Sequence, residues 1–379
     1  MNQLSEQPAN EIHFGLVENE AIDDFFKKLK DIEQQAKVRV GDDDIRHLLK
    51  LESWCNWLYL IGLGTAWILP NPISAFFLSQ SKFCRWACLA HHVLHGAYNH
   101  IDSVPNRLTS DKFARGIRRF TDWFDWILPS DWVYEHNFQH HYHLGEKYDP
   151  DLVEENLQWL RDKKYPNSVK WFIVFILACT WKFTYYNSNT ILENYKKKRG
   201  NTAQVLNLSY AWNLKYPPAR RLILLSILPY FCFNFVFLPS LFLFISPTAA
   251  LYVLINLVLA EVFTNLHSFI MIVTNHSGSD IFRFTTKISE KREFFIRQIV
   301  GSTNYKTGGD VNDFFHGFLN YQIEHHLWPK MTLRQYQFVQ PKVKKLCHDF
   351  GIPYHQESFV SRLKKTVNVM IGVETMKVV

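Results

Sequence analysis

Cysteine is sparse in this chain: six in 379 residues, scattered at Cys55, Cys84, Cys88, Cys179, Cys232 and Cys347, with no CxxC pair. That excludes a disulfide-stapled scaffold and reads as free thiols on the reducing side or in a membrane. A basic start with an apolar core is missing too. Met1 to Glu20 is polar and slightly acidic, so no signal peptide is expected there. Strong charge of one sign is absent. The net charge of +7 fits cytoplasmic loops beside anionic lipid, and no nucleic-acid partner is expected. No low-complexity linker is visible.

Aromatic side chains are abundant, at 16% with 31 Phe, 17 Tyr and 12 Trp, and the apolar residues come in long runs. Mean hydropathy, −0.15, is too low for a protein lying wholly in lipid. Together these indicate a membrane anchor carrying a large polar part. Ala21 to Arg39 predicts an amphipathic helix, with Phe25, Phe26, Leu29 and Ile32 on one stripe. A helix starting near Ile45 runs into the apolar stretch Trp54 to Leu69, Pro70-Asn71-Pro72 turns the chain, and a second stretch begins at Ile73. A span needs about 20 residues, so this pair reads as a transmembrane hairpin delivering His91 and His95. Lys82 and Arg85 lie inside its second helix and must face protein, water or a headgroup. Leu222 to Ile245 and Ala249 to Val273 form a second hairpin, turned at Ser246-Pro247-Thr248.

The polar remainder carries three histidine clusters: His91-His92-Val93-Leu94-His95, His136-Asn137-Phe138-Gln139-His140-His141 and Gln322-Ile323-Glu324-His325-His326. On an α-helix, i and i+4 share a face roughly 6 Å apart along the axis, which suits His136 and His140 on one metal. His141 then points about 100° further round, toward a second metal or the far side of the first. If the clusters build one site, an even number of spans separates them, and Trp171 to Trp181 cannot cross; it should lie in the interface or pack on the polar part. The hairpin turns carry no Lys or Arg, whereas Lys196 to Arg199, Arg220 and Arg221 lie on the other side. Both termini and all clusters are therefore expected in the cytoplasm. Lys196 to Arg199 reads as a solvated loop, and Trp123, Trp126 and Trp132 as interface anchors.

Imidazole suits Zn, Cu, Fe and Ni alike. His91, His95, His136, His140, His141, His325 and His326, with His276 at the end of the last apolar segment, make eight candidates, too many for one ion and about right for two. His92, His100 and His143 adjoin the clusters as further candidates. Glu135, Asp149, Asp151, Asp310, Asp313 and Glu324 are candidates to orient ligands. Glu261 and Asn265, one turn apart, are candidates for a hydrogen-bonded pair or for a polar element of a substrate tunnel. His13, His47, His348 and His355 read as surface residues.

These residues carry a family likeness. His91-xxx-His95, His136-xxx-His140-His141 and Gln322-xx-His325-His326-Leu327-Trp328-Pro329 resemble the three histidine boxes of the membrane fatty acid desaturases, with Gln322 in the place that front-end and several bacterial acyl desaturases also give to Gln. The likeness covers about Asp43 to Tyr354. It implies an all-α integral membrane protein: four transmembrane helices in two hairpins, about 50–95 and 222–273, under a cytosolic helical cap, about 96–221 and 276–379. Residues 1–45 would be an N-terminal tail and amphipathic helix, and 46–379 the desaturase domain. It further implies two irons held by the eight histidines, with Gln322 at or beside a metal, and O2-dependent insertion of a double bond into a lipid-linked or thioester-linked acyl chain. The His-Pro-Gly-Gly haem motif of a fused cytochrome b5 is absent, so a separate donor of ferredoxin or cytochrome b5 type, with a reductase, is expected. The alternatives are an acyl or lipid hydroxylase on the same scaffold and a non-catalytic membrane metal binder.

Overall fold

A computed structural model describes residues 19–200, 207–288 and 290–379. His13 and most of the expected tail lie outside these residues, as does 201–206 of the basic region. The described chain is mostly helical. Its strands are two short parallel pairs, Phe282–Arg283 with Lys377–Val378 and Thr303–Asn304 with His355–Gln356. They tie the C-terminal segment to the chain on either side of the Lys291–Val300 helix.

Asn19–Lys37 forms the first helix. It buries Phe25, Leu29 and Ile32 and packs on Leu333–Asp349. Asp42–Thr65 and Pro72–Cys84 form a hairpin whose second helix is set by Asn71, which accepts the Ser74 N–H at 2.7 Å, and by Pro72 at the first turn. Trp57, Leu60, Ile61, Ile68, Leu69, Ile73 and Phe76 face outward from this hairpin. Pro217–Phe244 and Pro247–His276 are helices long and apolar enough to cross a membrane. Ser246 caps the second of these through the Ala249 N–H at 3.0 Å.

Of the two charges inside the first hairpin, Lys82 faces protein. Lys82 pairs with Glu261 of the last apolar helix, and Glu261 also accepts from Tyr230 Oη–H and, at 3.0 Å, from Trp126 Nε1–H. A lone ammonium at such a site would cost several kcal/mol. The pair removes that cost and clamps the two hairpins together.

Several expectations need correction. Trp171–Trp181 belongs to the helix Asn167–Trp181, which continues through a π-helical stretch, Lys182–Tyr186, into Asn187–Lys198. It packs along the last apolar helix: Trp181 Nε1–H donates to the Asn265 carbonyl at 2.9 Å, and the Lys182 N–H to Asn265 Oδ1 at 3.0 Å. Lys196 to Lys198 are the last turn of this helix rather than a loop, and Lys196 is buried against Glu193. Trp123, Trp126 and Trp132 are core residues rather than interface anchors, because each buries its ring among other aromatics. His47 is buried, 3.2 Å from Asp310.

Candidate metal centre

Four local devices bring the histidines together. A π-helical stretch, Arg85–Ala90, precedes the turn His91–Leu94, and the His95 N–H closes it on the His91 carbonyl at 3.1 Å. Pro129 starts the helix Pro129–Tyr134, which passes into a second π-helical stretch, Glu135–His140. Gln322–Leu327 is held by Asn304, whose Oδ1 accepts the Ile323 N–H at 2.9 Å. His276 ends the last apolar helix.

Two groups result. In His91, His95, His136, His141 and His325 the ligand-type atoms lie within 4.8 Å of one another; in His140, His276 and His326 they do likewise. His91 Nε2 sits 2.9 Å from both His325 Nε2 and His136 Nε2, and His325 Nε2 is 3.0 Å from His141 Nε2. His326 Nε2 is 3.2 Å from His276 Nε2. All eight residues are buried.

This partition differs from the helical reading of the second cluster. The backbone bond there runs from the His141 N–H to the His136 carbonyl at 3.2 Å, an i to i+5 closure. The widened turn puts His136 with His141 and hands His140 to the other group. The i, i+4 pair His136 and His140 is thus divided between these two groups, while with Asp151 the same two residues lie close enough to form a third combination.

The outward nitrogens are held by fixed acceptors and by one hydroxyl. His140 Nδ1 donates to Asp149 Oδ1 at 3.0 Å, His326 Nδ1 to Gln298 Oε1 at 2.9 Å and His276 Nδ1 to the Gly301 carbonyl at 3.3 Å. The Tyr336 hydroxyl lies 3.2 Å from His325 Nδ1. Trp132 stacks on His136 with ring centres 4.5 Å apart. Burial, reinforced by mutual repulsion, holds His136, His141, His325 and His326 well below the usual imidazole range. Burial also pulls His140 down, but Asp149 and Asp151 outweigh it and the net shift is upward. Burial raises Asp151 to about 6. Neutral imidazoles with lone pairs aimed at one another repel unless a cation sits between them.

Of the other candidates, Gln322 joins the site, its amide 2.9 Å from His276 Nε2, and Asp149 braces it. His92 is fully buried beside His91 with rings 4.7 Å apart, but it belongs to neither group. His100 is exposed, past the end of its helix, and belongs to neither group. His143 turns out of the site to Glu146 at 3.0 Å. Glu324 bonds Asn304 and Tyr354, each at 2.8 Å, instead of a histidine; burial pushes its carboxyl up to about 7. Glu135 meets Tyr186 Oη at 3.3 Å. Asp310 pairs with Lys50 and His47, and Asp313 bonds Asn320 and Tyr321. Trp132, Gln298 and Tyr336 were not foreseen; only Trp132, one turn before His136, carried a sequence signal.

An apolar cavity of about 350 Å³ opens against His91, His136, His140, His276 and Gln322, walled by Trp181, Tyr186, Phe269 and Ile272 among others. Glu261 and Asn265 do not line it; they bind the helices together.

The chain matches the family model "Fatty acid desaturase" over residues 65–358. It is 26% identical to human "Fatty acid desaturase 3" over 330 residues, covering 84% of this chain and 64% of that protein, just under two thirds of its length. It is 23% identical to the "NADPH-dependent stearoyl-CoA 9-desaturase" of Mycobacterium tuberculosis over 363 residues, 91% of this chain and 78% of the other. A shorter match, 32% over 98 residues, is to the "Acyl-lipid (9-3)-desaturase" of Physcomitrium patens, covering 26% of this chain and 17% of that protein. No solved structure matches. With the family's pattern running through most of its length, this chain belongs to the fatty acid desaturases.

Proposed function

We propose that the protein is an O2-dependent fatty acyl desaturase that inserts a double bond into a lipid-linked or thioester-linked chain at a histidine-ligated di-iron centre. One observation carries this: eight buried imidazoles in two facing groups, with inward nitrogens as close as 2.9 Å, beside an apolar cavity. The donor set fits two irons. His95 Nε2 is buried without a hydrogen-bond partner, as an atom turned to an ion would be. Gln322 turns its amide to His276 Nε2 at 2.9 Å, and the reversed amide rotamer presents its oxygen at that spot.

His91, His95, His136, His141 and His325 would hold one iron; His140, His276 and His326, with Gln322, the other. A bound iron pair supplies O2 activation strong enough to remove hydrogen from an unactivated CH2–CH2 unit. Overall, the acyl chain loses two hydrogens, and O2 with two electrons and two protons leaves as two waters. The chain's own residues do the rest. Asp149, Gln298 and the Gly301 carbonyl fix ring orientation, with Tyr336 against the fourth ring. The apolar wall of Trp181, Tyr186, Phe269 and Ile272 aligns the acyl chain and excludes water. The electrons would come from a separate ferredoxin- or cytochrome b5-type donor with its reductase.

We also read the protein as multi-pass, with four spans in two hairpins, a helical cap within 96–221 and 276–379, and both termini and the metal centre cytoplasmic. The apolar side chains exposed on the first hairpin and the two longer apolar helices support this. Expression in a host lacking the activity, with an electron donor supplied and total fatty acids resolved by gas chromatography with double-bond localisation, tests the proposal. A new unsaturated acyl chain, absent with His140→Ala, is expected. A hydroxylated product, or none, would overturn it.

A further inference from the structure

We propose that a second recess, separate from the histidine centre, binds the anionic headgroup of an amphiphile, a phospholipid phosphate or a fatty carboxylate. The recess has a volume of about 450 Å³ and lies between the Asp42–Thr65 helix, the Ser81–Arg85 stretch, the 120–125 turn and Cys232–Phe237. Its partition from the histidine cavity is a pair of stacked indoles. Trp86 lines the cavity, Trp123 lines the recess, and their rings lie 6.4 Å apart at 15°.

Two cations line the recess, and of these Lys82 has a carboxylate partner whereas Arg85 has none among the described residues. Arg85 donates to the Asp122 carbonyl at 3.1 Å and to Asn56 Oδ1, and among the described residues no carboxylate pairs with it. Trp123 is 1% exposed and its indole N–H has no acceptor. Lys82 is neutralised by Glu261. The one carboxylate in the lining, Asp125, is taken by Lys182 and by the Ile127 N–H. One positive charge is thus left uncompensated.

The rim is apolar. Leu60 and Phe120 are exposed at 57% and 53%, and Phe233 is exposed beside them. A guanidinium in such surroundings is costly unless an anion meets it, and its fork matches phosphate or carboxylate. An anion delivered on an aliphatic tail satisfies Arg85, offers Trp123 an acceptor and covers the rim. This goes beyond the desaturase reading, because the site touches none of the eight histidines and its occupancy is read without turnover.

The test is native mass spectrometry of the full, delipidated chain after incubation with phosphatidylglycerol, oleate or neutral diacylglycerol, each alone. Wild type is expected to retain one anionic amphiphile per chain and no diacylglycerol. Arg85→Gln should lower retention about tenfold, the loss of one charge-assisted contact. Phe120→Asp, an exposed rim change that leaves the core intact, should lower it as well by repelling the anion. Unchanged metal content certifies each variant as folded. Arg85-dependent retention of phosphatidylglycerol alone assigns the site to a phospholipid; of oleate alone, to a fatty carboxylate. Equal retention by wild type and both variants, or equal retention of diacylglycerol, would overturn the proposal.

Discussion

His140 Nδ1 stands 3.0 Å from Asp149 Oδ1, with both side chains buried, and Asp149 Oδ2 accepts the Gly145 N–H at 2.8 Å. The carboxylate is thus fixed by backbone before it fixes the ring, and the ring's other nitrogen is turned inward. Asp149→Asn keeps the shape but removes the charge and can present its amide nitrogen to the histidine. Such outer partners contribute about 10–100-fold to metal affinity or activity. We expect iron content and turnover of Asp149→Asn to fall together by that order, measured by elemental analysis and product formation. Turnover lost at full iron content would refute a bracing role.

Metal removal should loosen the whole molecule. The eight imidazoles come from four separated segments, and without a cation their inward lone pairs oppose one another. A metal that binds only the folded state at a thousandfold above its dissociation constant adds about 4 kcal/mol. Chelation should therefore lower the thermal midpoint in detergent, and added Fe(II) should restore it. A midpoint that chelator leaves unmoved would count against a resident metal.

Much of this centre was legible in the chain because histidine at i, i+4 in two places, with an adjacent histidine pair in a third, is hard to explain otherwise. His91, His95 and His325 meet in one group, and His326 lies in the other with His276, which arrives from the end of an apolar helix. What the spacing could not give was the π-helical closure at His136–His141. That closure depends on backbone bonding set by packing, and it reassigns His140. His100 and His143 adjoined the clusters only as further candidates; one follows the end of its helix and the other is drawn off by Glu146. The Lys82–Glu261 clamp joins residues far apart in the chain, which no local pattern reveals. The helical class and the family were readable, whereas the packing of the Trp171–Trp181 segment on the last apolar helix was not.

Acid should loosen the joint behind the last apolar helix. Arg362, fully buried, donates to Asp280 and to the Ser277 carbonyl, and Lys365 reaches Asp280 Oδ2 at 2.8 Å. Burial pushes the Asp280 carboxyl up, but Arg362 and Lys365 outweigh it and hold it well below the usual range; His355 faces it too, and Glu357 shares both cations. A carboxyl depressed on folding stabilises above its unfolded value near 3.9 and loses that contribution as pH falls below it. Asp280→Asn should therefore lower the thermal midpoint at pH 7, and its gap to wild type should shrink below about pH 4. A constant gap down to pH 3 would contradict the assignment.

Filling the cavity should separate substrate from metal. Ile272 lines the wall near His276 but reaches it through an apolar side chain that offers no ligand. Ile272→Trp adds a ring to a space of about 350 Å³, and the lining it meets includes the rigid rings of Trp181 and Phe269. Overpacking of this kind costs about 1–3 kcal/mol where the site cannot give, and here the empty cavity lets the ring enter in place of substrate. Iron content should stay at the wild-type level while unsaturated product drops sharply, most for the longest acyl chains. Ile272→Ala, which enlarges the same space, should keep activity and accept longer chains. Iron and product falling together in Ile272→Trp would mean that the ring had disturbed the histidines, whereas normal product from a full-length acyl chain would mean that the chain lies elsewhere.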